Sequence, residues 1–133
     1  MFLLDTVALS DLDKPHPNVG LRGWFETVEM GDLHLSTISI AEIWRGIIRL
    51  PPGPKRRALE ASFHLIEDRF PDRILSVDHA VAIKYAEIQE ECGPLPILDT
   101  FIGATALVHR LAVVTRNTGD MRRTGAQFID PWT

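Results

Sequence analysis

A single cysteine, Cys92, occurs in the 133 residues, so the chain has no partner for an internal disulfide and no paired thiols for a zinc or redox motif. We expect Cys92 to lie half-buried on a helix, as free cysteines often do. The longest apolar stretches are broken by Asp5, Arg45 or Asp99, and none reaches the roughly 20 residues that a membrane-spanning helix needs. The first residues also lack the basic region and apolar core of a signal peptide. These features predict a cytoplasmic protein without membrane contact.

Histidine pairs and phosphate-binding loops are missing as well. The five histidines are dispersed along the chain without the close spacing of zinc ligands. The sequence contains neither G-x-x-x-x-G-K-[ST] nor G-x-G-x-x-G, which argues against a nucleotide-driven switch. The net charge of −4 argues against a generally basic nucleic-acid binder. It does not exclude an enzyme that acts on nucleic acid, because a carboxylate cluster that binds a cation itself contributes negative charge.

Short apolar runs alternate with stretches of helical periodicity along the whole chain. The length of 133 residues and the 45% hydrophobic content match one compact domain, which we place at residues 1–133. The predicted strands are residues 2–4, 34–38, 74–77, 112–115 and 127–129. The predicted helices are residues 6–12, 19–31, 39–50 and 54–70, a helix capped by Asp78, and residues 99–109, with a turn at residues 117–119.

This alternation predicts a parallel sheet that is covered by helices on both faces. Ligands of such sheets bind outside the carboxyl ends of the strands. Asp5, the segment after the second strand and the loop after Val114 all lie at those ends. We therefore look for a functional site at this edge.

Four carboxylates fall at predicted strand or helix ends along this edge. Asp5 follows the run MFLL, Glu42 closes SIAE, Asp99 opens DTFIGATA, and Asp120 follows TRNTG. Two like charges about 5 Å apart repel by roughly 3 kcal/mol at an effective dielectric constant of about 20, so a fold that gathers four needs a cation. Oxygen-only ligation by carboxylates is what Mg²⁺ and Mn²⁺ prefer. The pattern predicts a site for one of these ions.

Each acid also has an ordinary structural explanation. Ser39-x-x-Glu42 matches a capping box, in which Glu42 accepts the backbone N–H of Ser39. Asp5 and Asp99 are suited to cap the helices that follow them, and Asp120 suits a turn or a helix start. The joint pattern favours a shared site, because all four acids fall on one predicted edge of the sheet.

Cationic residues also concentrate in one part of the sequence. The best basic patch consists of Arg45, Arg49, Lys55, Arg56 and Arg57. Such a patch is either a solvated helix face or a surface that contacts phosphates. Arg116, which lies beside the acids in sequence, is a stronger candidate for a phosphate contact.

Four short motifs, in this order, resemble the PIN-domain ribonucleases, specifically the VapC-type toxins of bacterial toxin–antitoxin operons. The motifs are LLDT with Asp5, SIAEI with Glu42 and a following Gly46, LD with Asp99 leading into IGATA, and TRN with Asp120. The pair Pro-Trp near the end of the sequence also looks like this family. The resemblance covers nearly the whole chain.

The resemblance implies a three-layer α/β/α sandwich with a mainly parallel central sheet and RNA cleavage that depends on Mg²⁺ or Mn²⁺. It also implies a homodimer and neutralisation by a small antitoxin protein. Asp5, Glu42, Asp99 and Asp120 match the acidic quartet of the family, and they are the predicted catalytic and metal-binding residues. The predicted substrate contacts or supports of the acids are Thr6, Thr115, Arg116 and Asn117.

One position departs from the family pattern. The family commonly has Asn two residues after the first acid, whereas this chain has Val7, which removes a polar support for Asp5. Two alternatives to a nuclease stay open. One is a PIN-like protein that binds RNA or an antitoxin without turnover. The other is a small-molecule phosphatase with an aspartyl-phosphate intermediate, although such enzymes usually have a second acid where Val7 stands.

Overall fold

A parallel five-stranded sheet forms the centre of the molecule. The computed structural model describes all 133 residues. The strands are β1 (Phe2–Leu4), β2 (Leu33–Ser36), β3 (Ile74–Leu75), β4 (Ala112–Val114) and β5 (Phe128–Ile129), in the order β3-β2-β1-β4-β5. Phe2 of β1 lies opposite Leu33 of β2, and Leu3 lies opposite Val113 of β4. The first strand is therefore central, with the carboxyl ends of β2 and β4 on either side.

Seven helices pack around the sheet. They are α1 (Thr6–Leu12), α2 (Val19–Phe25), α3 (Thr37–Ile48), α4 (Pro54–Arg69), α5 (His79–Cys92), α6 (Ile97–His109) and α7 (Thr118–Thr124). A 3₁₀ turn, Met30–Asp32, leads into β2. None of the helices combines the length and apolar character needed to cross a membrane.

Each face of the sheet has its own hydrophobic core. Leu4 packs with residues of α1, α2 and α4, including Leu9 and Leu21, whereas Leu3 packs with Ile102 of α6 and Met121 of α7. Successive side chains of a strand point to opposite faces, so β1 is buried on both. This is why its sequence is a continuous apolar run rather than an alternating one. The predicted three-layer α/β/α sandwich with a parallel sheet is confirmed.

Helices α6 and α7 pack closely at Gly103. A Cβ atom at this position would lie 2.8 Å from Oγ1 of Thr124 and 2.9 Å from its Cβ. Only glycine fits this approach without a shift of one helix. The small residues of the IGATA motif thus bring together the two helices that carry Asp99 and Asp120.

Several predicted boundaries are wrong. Helix α2 ends at Phe25 rather than near Gly31, because the next backbone N–H groups, those of Thr27 and Val28, bond back over shorter spans and form a turn. Thr118 and Gly119 of the predicted turn begin α7, and Asn117 occupies the N-cap position of this helix without a side-chain cap bond. Cys92 is the last residue of α5 and is exposed rather than half-buried.

The second strand and the following helix meet at Ser36, not at Ser39. The Ser36 hydroxyl accepts a hydrogen bond from the Ile38 N–H at 3.0 Å, so β2 ends there and α3 begins at Thr37. Ser39 lies inside the helix and is buried. The capping-box explanation of Glu42 is therefore wrong.

Candidate active site

Asp5 leaves the carboxyl end of β1 and is only 6% exposed. Its carboxylate accepts the Ala8 N–H at 2.7 Å and so caps α1. Burial raises the pKa of Asp5, and the Thr115 side chain and the Ala8 N–H oppose that shift. The negative charges of Asp99 and Glu42 raise this pKa further. The capping role is confirmed, and the same carboxylate also faces two of the other acids.

Glu42 reaches the site from α3 and is tied to α1 by Thr6. The Thr6 hydroxyl donates to Oε1 of Glu42 at 2.7 Å and lies 3.0 Å from Oγ of Ser39. These contacts join residues that are more than 30 positions apart, so they depend on the packing of α1 against α3. Ser39 is a site residue that sequence reasoning assigned only to the capping box.

Asn117 links the other two acids. Its Nδ2 group donates to Oδ2 of Asp99 at 2.9 Å and to Oδ2 of Asp120 at 3.0 Å. Asp99 lies in the first turn of α6 and Asp120 in the first turn of α7, where negative charge is favourable. The cap of α6 is Pro96 rather than Asp99, so capping does not explain Asp99.

The electrostatic couplings join all four acids in one site. Burial raises the pKa of Asp99, and the charges of Asp120 and Glu42 raise it further, while the bond from Asn117 opposes the shift. Asp5 responds to Asp99 and Glu42 in the same way. Asn117 is neutral, so it orients two carboxylates without compensating their charge.

This donor set fits a hard divalent cation. It consists of four carboxylates. Two of them, Asp5 and Asp99, have pKa values that are raised by burial, and no positive group compensates their charge. The structure contains no group of three or more Asp, Glu, His or Cys side chains already placed to hold one ion. All four carboxylates would act as ligands only after side-chain adjustment or through water.

Thr115 and Arg116 follow β4 but have different surroundings. Thr115 is buried beside Asp5, and its Oγ1 accepts the Asn117 N–H at 3.0 Å. Because that oxygen accepts from the backbone, its own O–H remains available for the Asp5 carboxylate. The Arg116 guanidinium instead lies over the Trp132 ring, 5.6 Å from its centroid.

Val7 plays no part in holding Asp5. It is 54% exposed in the first turn of α1, whereas Asp5 is held by the Ala8 N–H and by Thr115. The departure from the family pattern therefore leaves these supports of Asp5 in place.

Two clefts meet along α1. A cleft of about 360 Å³ between α1, α3 and α4 touches the acidic site at Thr6 and Glu42. A larger, mainly apolar cleft of about 660 Å³ lies between α1, α2 and α4, and none of the four site acids lines it. Leu9, Asp13 and Ile66 line both clefts, so the two are neighbours along α1.

The chain is thus a parallel α/β/α sandwich that gathers four acids at the carboxyl edge of its sheet. Comparison with known families gives the specific assignment: the PIN domain family matches residues 2–127, and the chain belongs to it.

Individual relatives are similar over their whole lengths. The toxin FitB of Neisseria gonorrhoeae is 34% identical, with 99% of each chain covered. The VapC ribonuclease Y4jK of Sinorhizobium fredii is 28% identical, with 99% of this chain and 98% of the relative covered. The crystal structure of FitAcB from Neisseria gonorrhoeae contains a chain that superimposes with a TM-score of 0.93 at 34% identity, covering 99% of both chains.

Proposed function

We propose that this protein is an endoribonuclease toxin that hydrolyses RNA phosphodiester bonds with Mg²⁺ or Mn²⁺, acts in the cytoplasm, and is neutralised by an antitoxin protein. The observation that carries the proposal is the electrostatically coupled site of Asp5, Glu42, Asp99 and Asp120 at the carboxyl edge of a PIN-domain sheet. Full-length similarity to a protein named a toxin and to one named a VapC ribonuclease supports the choice of substrate and role.

The four acids take unequal roles in this proposal. Asp5 and Asp99 are the principal cation ligands, because burial and neighbouring charges already disfavour their ionisation without a cation. Glu42 and Asp120 complete the site directly or through water. When bound, the cation acidifies the attacking water and stabilises charge that develops on the phosphate.

Neutral side chains orient the acids. Thr6 fixes one oxygen of Glu42, and Asn117 fixes one oxygen each of Asp99 and Asp120. Each of these carboxylates keeps a second oxygen for a cation or a water molecule. A histidine or serine nucleophile is not required.

The two neighbouring clefts along α1 are the proposed antitoxin site. The larger cleft offers apolar side chains such as Leu12, Phe25 and Phe70, with Arg22 and Glu26 at its rim. An amphipathic segment suits this lining, and a segment that extends into the smaller cleft reaches Glu42. A homodimer is the proposed assembly of the toxin, which light scattering of the purified protein tests.

RNA cleavage by the purified protein tests the catalytic proposal. We expect cleavage with Mg²⁺ or Mn²⁺, none with EDTA, and a loss of roughly 100-fold or more in Asp5→Asn and Asp99→Asn, since each removes a cation ligand. Asp78→Asn is the matched control: like Asp5, Asp78 caps a helix, accepting the Val81 N–H at 3.0 Å.

Undiminished cleavage in both Asp5→Asn and Asp99→Asn contradicts the assigned roles. RNA binding by the wild-type protein without cleavage, in the presence of either cation, supports the alternative of a binding protein without turnover. Hydrolysis of small phosphate esters without RNA cleavage supports a phosphatase.

A further inference from the structure

Charge is distributed very unevenly along this chain. Residues 43–59 contain five Lys or Arg residues and no acid, which gives this segment a charge of +5. The rest of the chain has nine Lys or Arg residues and eighteen acids, a charge of −9. A net charge of −4 thus conceals one strongly basic segment, which we call the basic turn.

The basic turn comprises the end of α3, the start of α4 and the loop between them. Arg56 holds this loop in place: its Nε donates to Glu60 at 2.8 Å and its Nη1 to the Leu50 carbonyl at 3.2 Å. Trp44 packs on Phe63 with ring centroids 4.9 Å apart, which joins the two helices. The loop is therefore anchored at both sides.

The other four cations of the basic turn are exposed and form no salt bridge; they are Arg45, Arg49, Lys55 and Arg57. None of them has an acidic partner within 4 Å, in contrast to Arg56 with Glu60. A surface of this kind lowers its electrostatic energy by binding a polyanion.

Two of these cations share a helix face with a site carboxylate. Arg45 lies on α3 and Arg49 is the C-cap residue of that helix. They follow Glu42 by three and seven residues, a spacing that places all three on one side of the helix. Along the axis they lie about 4.5 Å and 10.5 Å from Glu42 at the usual helical rise. The free cations therefore begin within one helical turn of the acidic site.

We propose that the basic turn is the docking surface for single-stranded RNA, with the strand running from the acidic site along α3 to the loop before α4. This inference rests on the proposed function and names the path of its substrate. Arg45 and Arg49 bind the first phosphates beyond the site, and Lys55 and Arg57 bind the next. Arginine suits this task because its planar group can bind phosphate through two parallel hydrogen bonds.

Salt-dependent RNA binding tests the proposal. Fluorescence anisotropy with a labelled single-stranded RNA, in Mg²⁺, compares Arg45→Gln/Arg49→Gln with the parent; both carry Asp99→Asn to prevent cleavage. The slope of log K against log salt is negative, and loss of two phosphate contacts makes it shallower by about 1.4. We also expect at least 10-fold weaker binding at low salt.

Lys84→Gln/Arg110→Gln is the control for net charge, since it also removes two positive charges, one of them paired with Glu87 at 3.5 Å. Lys84 lies on α5, and Arg110 follows α6 at the opposite end from Asp99. We expect this control to leave the slope unchanged, and Lys55→Gln/Arg57→Gln to repeat the loss. Thermal unfolding of each variant identifies any fold defect.

Equal losses in the test and control pairs overturn the proposal, because net charge then explains them. Unchanged RNA binding by Arg45→Gln/Arg49→Gln also overturns the proposal. If this variant keeps its RNA binding but loses a copurifying protein, the surface belongs to that protein partner instead. RNA cleavage with undiminished kcat/KM in Arg45→Gln/Arg49→Gln leaves the proposed function intact and removes this inference. RNA binding that depends on both arginines, without RNA cleavage by the wild type, supports this inference and contradicts the proposed function.

Discussion

Asn117 has the most specific geometry in the site, because one amide nitrogen binds oxygens of two acids from two helices. Those acids carry like charge, and nothing else in the structure is seen to bond Asp120. The amide thus defines where the second pair of carboxylates lies. We expect it to act as a positioning residue rather than as a group that contacts the reacting atoms.

Asn117→Ala removes this link and lets the side chains of Asp99 and Asp120 move apart. We expect Mn²⁺ affinity to fall by about 10- to 100-fold, as for other residues that orient metal ligands. Isothermal titration calorimetry measures the change directly. Asn18→Ala is the control: Asn18 is also an N-cap residue, and it accepts the Leu21 N–H at 3.1 Å, but it does not contact the acids. Equal affinity in Asn117→Ala and wild type rejects the positioning role.

The raised pKa values of Asp5 and Asp99 give stability a defined pH dependence. The folded state binds their protons more tightly than the unfolded chain does. Stability from this source is therefore present at low pH and is lost as pH rises from the ordinary pKa of 3.8 through the raised values. At neutral pH and without a cation, both charges destabilise the fold.

Asp99→Asn removes one of these charges. In EDTA at neutral pH we expect a higher Tm than for the wild type, with the difference shrinking as pH falls towards 3.8, where the wild-type carboxyl is protonated. Thermal unfolding across this range measures it, and added Mn²⁺ reverses the order of stability. A Tm difference that does not change with pH contradicts this account.

At the level of helices and strands, the sequence pattern predicted the elements that depend on local signals. The run MFLL followed by Asp5 identified β1 and the start of α1, and Asp78 caps α5 as predicted. Ser39 was the wrong choice for the N-cap of α3, because Ser36 and Ser39 both precede helical sequence. Their roles differ through contacts that the sequence does not show: Ser36 caps the helix, and Ser39 contacts Thr6.

The convergence of the four acids was predictable from the sequence, but the side chains that support them were not. An acid after a buried strand, or in the first turn of a helix, is visible in sequence, and parallel topology brings such positions to one edge. The hydrogen bond from Thr6 to Glu42 and the two hydrogen bonds from Asn117 depend on how the helices pack, as does the position of the two clefts along α1. No pattern of single residues contains that information.

Two helix glycines give opposite predictions at this scale. A Cβ at Gly46 of α3 meets nothing within 4 Å, so Gly46→Ala gains helix propensity and raises stability by about 0.5–1 kcal/mol. A Cβ at Gly103 meets Thr124, so Gly103→Ala lowers stability by about 1–3 kcal/mol through overpacking. Urea unfolding measures both, and a change of the same sign in the two variants contradicts the packing described here.

At the scale of the whole molecule, residues 130–133 join distant parts of the fold. Trp132 Nε1 donates to Oδ2 of buried Asp11 at 3.0 Å, and its ring lies under Arg116. The Thr133 N–H donates to Oδ1 of Asn18 at 3.2 Å. This segment therefore connects α1 and the start of α2 with the loop that follows β4 and carries the site residues.

Trp132→Phe keeps a ring for Arg116 and removes the donor to Asp11. We expect a loss of about 1–3 kcal/mol in the free energy of unfolding, because a buried carboxylate loses its closest partner. A double-mutant cycle with Asp11→Ala measures the coupling: Trp132→Phe costs much less when Asp11 is absent. Strict additivity of the two losses shows that the hydrogen bond does not stabilise the fold.

The central place of β1 in the sheet has a consequence for synthesis. Asp5 emerges from the ribosome before the other three acids. Its strand, β1, pairs with β4, which is synthesised much later, and Asp120 follows β4. Chains fold during synthesis from the N-terminal side, so the four acids meet only when translation has passed residue 120. A chain that ends before residue 120 lacks the fourth acid and cannot assemble the site.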